Sequence, residues 1–183
     1  MSPDTLKSIV TVGTPGSPFR RVLAYKLLLV IAGVVFALDQ ASKAWIRARL
    51  PFPTYGDPGA MVIVPNFFHL VHVGNTGAAW SLFSGRSAIL AAAAAVTLLA
   101  IYFWRRALGL RARLVQVSFG LLCGGIVGNL VDRLRHGHVI DFLDFHFGSY
   151  VYPTFNIADS GISVGVAIYL WCSLRAPKAP NIK

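Results

Sequence analysis

The sequence predicts an all-α membrane protein with four transmembrane helices, and three observations predict it. First, the 183 residues are 55% hydrophobic, and only 13% carry charge. A soluble domain has about twice that charged share. Second, four long apolar stretches punctuate the chain. Third, the basic residues fall unevenly on the two sides that those stretches define. The mean hydropathy of +0.61 excludes a disordered chain. All seven acids are Asp, so any mechanism needing a Glu base is excluded, HExxH zinc proteases among them. A net charge of +10 would suit nucleic acid on a polar surface. This chain has little polar surface to offer, and no nucleic-acid partner is expected.

The first span is read as 22–38, interrupted only by Lys26, whose side chain can snorkel. The second, 87–104, and the third, 114–131, are each 18 residues without a charge. The fourth, 157–174, carries one charge, Asp159, in its first turn. Each approaches the roughly 20 apolar residues that cross a bilayer as a helix. The first span is long for a cleavable signal and runs into Asp39-Gln40 rather than a small-x-small site, so it reads as retained.

Placing both termini and the 105–113 loop together gives that side eleven bases, against six on the other. By the positive-inside rule the eleven are cytoplasmic. The outer loops are then 39–86 and 132–156. Residues 1–18 read as a flexible cytoplasmic tail, 19–175 as a single integral-membrane domain, and 176–183 as a cytoplasmic tail. In the first loop, 62–64 and 67–73 read as short strands, although their alternation is too weak to fix a face. The second loop is rich in aromatics and His, as suits a membrane surface. Cys123 and Cys172 lie in apolar stretches with no ligand-like spacing and read as small apolar residues.

Polar residues at membrane depth carry the functional argument. Gly120, Gly124 and Gly128 share one face of the third span and read as close helix packing. Asp39 and Lys43 stand at i, i+4 in the favourable order for a helical ion pair. Asp132 and Arg133 end the third span, and Asn75 sits in a Gly-flanked turn. Asp141 alone reads as a loop acid, and Asp159 alone as a helix N-terminal group. Intramembrane carboxylates are costly and usually face a cavity. Brought together by the intervening loop, these two would share one proton. One would then take a proton from water while the other serves the oxyanion and the leaving amine, as in aspartic proteases.

The residues then resemble a known family. The runs Asp39-Gln40-Ala41-Ser42-Lys43, Asn75-Thr76-Gly77-Ala78-Ala79-Trp80-Ser81, 124–133, Gly137-His138-Val139-Ile140-Asp141-Phe142 and Pro153-Thr154-Phe155-Asn156-Ile157-Ala158-Asp159-Ser160 resemble lipoprotein signal peptidases (signal peptidase type II), in order, over about 22–174. The resemblance implies a bacterial inner-membrane aspartyl endopeptidase. It would remove signal peptides from prolipoproteins, cutting before a diacylglyceryl-modified cysteine at the outer leaflet. It implies a catalytic pair Asp141 and Asp159, and substrate contacts at Asn75, Gly77, Gly125, Asn129, Arg133 and Asn156. Asp39, Lys43 and Asp132 match further polar positions. It also implies membrane lipids and globomycin-type inhibitors as partners, no cofactor or metal, and a small β-cradle with a short interfacial helix within 47–86. Asp144 lies outside the motif and is expected to be a surface residue.

Four rivals remain at this stage. A transporter would usually show repeats or broken helices, and none is seen. A serine protease lacks a Gly-x-Ser-Gly run and a paired His. A metal site at His69 and His72, or at His136, His138 and His146, has only loosely suitable spacing. A non-catalytic assembly factor would tolerate Asn at 141 and 159.

Overall fold

The structure is a computed structural model that describes residues 23–55, 59–77 and 82–175. Both expected tails therefore lie outside the described residues, as do 78–81 of the Asn75 motif. Four helices are long and apolar enough to cross a membrane: α1 (Lys26–Arg49), α2 (Ser87–Trp104), α3 (Arg113–His136) and α4 (Ile157–Arg175).

Two of these outrun the expected spans. Helix α1 continues eleven residues past Leu38, and α3 five past Val131. A span boundary drawn at the first charge fails here because that charge is buried and paired. At about 1.5 Å per residue, α1 and α3 are each ~36 Å long, more than the ~30 Å hydrocarbon core. Their extra turns carry the polar residues at one end of the bundle.

Helix α3 is the axis of the fold. Gly120 and Gly124 lie against Leu28, Ile31, Ala32 and Val35 of α1, and a Cβ at either would meet α1 atoms within 3.0 Å. Gly161 and Gly165 of α4 lie against α3 in the same way. Small residues thus let three backbones approach closely, where lipid gives no hydrophobic drive for helices to associate. Among the described residues, helix α2 packs chiefly on α3 and buries only Ala91, so Ile89, Val96, Leu99 and Phe103 are left for lipid. At the far end, Gln116 of α3 accepts from the Leu28 N–H (3.3 Å) and donates to the Ala24 carbonyl (2.9 Å). It supplies the first turn of α1 with a cap that Tyr25 does not provide.

A four-stranded antiparallel sheet, ordered β1-β2-β3-β4, covers the opposite end. Its strands are β1 (Met61–Val64), β2 (Phe68–Asn75), β3 (Val139–Phe147) and β4 (Tyr150–Val151). The first two were legible in the sequence, whereas β3 falls in what read as a loop. The register slips between Leu70 and Val73, so consecutive Val71 and His72 are both buried. That bulge is why the alternation was too weak to assign a face. Ile46 of α1 and its C-cap residue Leu50 pack with Ile140 and Phe142 of β3, which seats the sheet on the helix end. Among the described residues no short helix occurs within 50–86, where 82–85 form turns.

Candidate active site

Asn156 organises the site. It stands immediately before α4, fully buried, and its Oδ1 accepts from the Asp159 N–H at 2.9 Å. Asp159 Oδ2 accepts in return from the Asn156 N–H at 3.3 Å. This is a reciprocal capping box, with Asp in the place usually held by Glu or Gln. The Asn156 Nδ2 meanwhile donates to Asp141 Oδ1 at 2.7 Å, and also approaches Asn129 Oδ1 and the Ile140 carbonyl at 3.3 Å. One side chain thus joins the start of α4 to β3.

Each carboxylate has a second amide partner. Asn75, at the end of β2, donates to Asp141 Oδ2 at 3.0 Å. Asn129 of α3 donates to Asp159 Oδ1 at 2.7 Å. Asp141 and Asp159 both line a cavity of about 980 Å³, together with Asn75, Asn129 and Arg133. Its wall continues along α4 through Ile162 and Val164. Burial, then the nearby charge of Asp159, pushes the Asp141 carboxyl up to about 7, against the opposing hydrogen bonds of Asn75 and Asn156.

Behind this wall sits a second pair of acids. Lys43 Nζ lies 2.8 Å from Asp39 Oδ2 and 2.7 Å from Asp132 Oδ2. All three residues are no more than 2% exposed. Gln40 donates to Asp132 Oδ1 (3.0 Å) and to Asp39 Oδ2 (3.2 Å). Asp39 Oδ1 accepts from the Ala158 N–H, and Asp132 Oδ2 from the Ile140 N–H. The cluster therefore ties α1, α3, β3 and the first turn of α4 to one point. Lys43 also donates to Asn129 Oδ1 at 3.1 Å. An ammonium can only donate, so it fixes the amide orientation and directs the Asn129 NH₂ at Asp159.

Of the expected contact residues, Asn75, Asn129 and Arg133 line the cavity, and Asn156 lies just behind it. Gly77 and Gly125 do not line it. The Gly77 N–H is held by Asn75 Oδ1 at 2.8 Å, and its carbonyl accepts from Arg133 Nη2 at 2.8 Å. Gly125 lies against Ala158 and Ile162 of α4, where a Cβ would clash. Asp144 is corrected: it is 6% exposed, and its Oδ2 lies 2.7 Å from His146 Nε2. It counted as a surface residue because β3 was not recognised. The bridging role of Asn156 and the part of Gln40 were also missed. The Asn-x-x-Asp spacing at a helix start was the available signal for the first. Gln40 gave none.

Four apolar spans and a walled cavity with two carboxylates at one end define a multi-pass membrane protein of the hydrolase kind. Comparison with known proteins narrows this. The family described as "Signal peptidase (SPase) II" matches residues 31–175. A lipoprotein signal peptidase of Azoarcus sp. (strain BH72) is 41% identical over 157 residues, covering 82% of this chain and 84% of that one. One from Oleidesulfovibrio alaskensis is 46% identical over 145 residues, covering 76% and 88%. A bacterial membrane enzyme solved by the in meso method at 2.3 Å resolution superposes with a TM-score of 0.73 at 29% identity, covering 85% of this chain and 92% of that one. A second, at 1.9 Å, gives 0.67 at 28% identity, covering 82% and 94%. The chain belongs to the signal peptidase II family: it is a multi-pass membrane enzyme, an aspartic peptidase with lipoprotein signal peptidase activity.

Proposed function

We propose that Asp141 and Asp159 are the catalytic pair, and that the enzyme cuts prolipoproteins immediately before a diacylglyceryl-modified cysteine. The observation that carries this is the convergence of two carboxylates on one cavity wall, joined through Asn156 and with no ion pair to either among the described residues. Such a pair keeps one proton near neutrality, in keeping with the raised Asp141. The ionised member removes a proton from a bound water, whose oxygen attacks the scissile carbonyl. The protonated member donates to the developing oxyanion. As the tetrahedral intermediate collapses, the C–N bond breaks and the proton taken from water passes to the leaving amine.

The remaining residues hold the peptide. Asn75 and Asn129 present amides to an extended backbone without adding charge. Arg133 lines the cavity and presents its guanidinium to a substrate carbonyl. The cavity wall at Ile162 and Val164 runs ~7 Å below Asp159 along α4, which suits acyl chains that stay in the bilayer. The site then lies at the outer leaflet of the bacterial inner membrane, with both termini cytoplasmic. This orientation satisfies the distribution of bases, and a globomycin-type peptide would compete for the same cavity.

The test is cleavage of a purified precursor, read by mass, with the cysteine lipidated or free. The expected result is one cut, amino-terminal to the cysteine, in the lipidated substrate only. Equal cleavage of the free-cysteine precursor, or a cut elsewhere, would overturn the substrate assignment.

A further inference from the structure

Away from the cavity, the sheet holds another cluster of chemically competent side chains. His69 on β2 stands directly across from Asp144 on β3. His146 follows two residues along β3, so it points to the same side as Asp144. The His69 and His146 rings lie 4.6 Å apart, centroid to centroid. Asp144 Oδ2 is 2.7 Å from His146 Nε2, and no other side chain among the described residues bonds it. One donor atom from each of the three residues falls within 4.8 Å of the other two.

We propose that His69, Asp144 and His146 form a divalent-metal site of the zinc type that clamps β2 to β3. Two imidazoles and one carboxylate are a donor set suited to zinc. Tetrahedral donors at about 2.0–2.1 Å from zinc stand ~3.3 Å from one another. The present spacings, 2.7 Å between Asp144 Oδ2 and His146 Nε2 and none above 4.8 Å, bracket that value. Asp144 is buried while both imidazoles are half-buried, so the acid is anchored and the fourth position opens toward solvent. The Asp144–His146 pair leaves His69 facing the same carboxylate across the two strands, its ring tilted 42° to that of His146. A dication answers all three groups at once.

The site differs from the triplets that sequence spacing suggested. His72 is turned away, donating from Nδ1 to the Leu50 carbonyl at 3.1 Å, and His138 stacks on Phe52. Its role is structural. Asp141 lies three residues before Asp144 on β3, so a clamp here steadies the strand that carries Asp141. The inference stands apart from the proposed catalytic pair and is tested without an activity readout.

Chelator-stripped full-length enzyme in detergent is titrated with zinc alone, following metal content after dialysis and thermal unfolding. The expected result is one zinc per chain, with a rise in Tm on the order of 5 °C. His69→Ala and His146→Ala are expected to weaken binding at least tenfold, while His138→Ala leaves it unchanged. Cobalt in place of zinc gives the visible bands of a tetrahedral site in the wild type, a readout that does not depend on any variant folding. Binding that is unsaturable, or that survives loss of both His69 and His146, would overturn the proposal. So would a wild type that shows no tetrahedral cobalt spectrum.

Discussion

Two pairs of aspartates lie within the same polar end of the bundle, and they are built oppositely. Asp39 and Asp132 enclose Lys43, and backbone N–H groups and Gln40 satisfy their remaining oxygens. Asp141 and Asp159 receive hydrogen bonds from neutral amides and no direct cation. The first pair is closed and serves the fold. The second faces a cavity and carries the raised Asp141 carboxyl. Burial alone therefore does not mark a reactive acid; what separates the pairs is whether a fixed cation sits between the carboxylates.

The largest expected effect is on the open pair. Asp141→Asn and Asp159→Asn should each lower kcat by at least about 10³-fold, with helix content and detergent-extracted yield unchanged. Activity within tenfold of wild type in either variant would erase the distinction between the pairs.

The closed pair should respond in stability instead. Lys43→Met leaves two buried carboxylates unpaired, at a cost of roughly 3–5 kcal/mol. Thermal unfolding should show Tm lower by on the order of 10 °C. A Tm within a degree or two of wild type would mean that the cluster is not holding the helices together.

Asn129 joins the two regions, accepting from Lys43 and donating to Asp159. Removing a hydrogen bond to a charged group costs about 1.5–3 kcal/mol. Asn129→Ala should accordingly reduce kcat by about 10–100-fold, with a smaller loss of Tm than Lys43→Met, because Lys43 keeps both of its aspartates. A variant altered only in Tm would place Asn129 in the scaffold.

The smallest effect is on stability against pH. An acid whose folded pKa is raised binds its proton more tightly folded than unfolded. Asp141 therefore costs the native state stability as pH rises from the ordinary 3.8 to about 7, and no more above that. Asp141→Asn should raise Tm by a few degrees at pH 8 and leave it unchanged near pH 4. In the proposed mechanism the same proton serves turnover, so wild-type kcat should fall as pH rises above about 7.

The sequence disclosed the spans and the polar motifs because apolar runs and charged residues inside them are visible in one dimension. Asp39 and Lys43 were readable as an i, i+4 pair. Their third partner, Asp132, comes from another helix at a separation that no local pattern encodes. Strand β3 stayed hidden because it is buried along most of its length and carries Asp141, Asp144 and His146 among its apolar residues, so neither alternation nor an unbroken apolar run marks it. The same concealment made Asp144 look exposed. Asn156 stands within a legible motif, yet its bridge between the two acids needs the fold to exist.

The most direct measurement is an infrared pH titration of the purified enzyme, following the carbonyl stretch of protonated carboxyl groups. The account predicts one protonated carboxyl that persists to about pH 7, is absent in Asp141→Asn, titrates at lower pH in Asp159→Asn, and remains in Asp144→Asn. A wild type with every carboxyl ionised by pH 5, or a signal that survives in both Asn variants of the open pair, would contradict it.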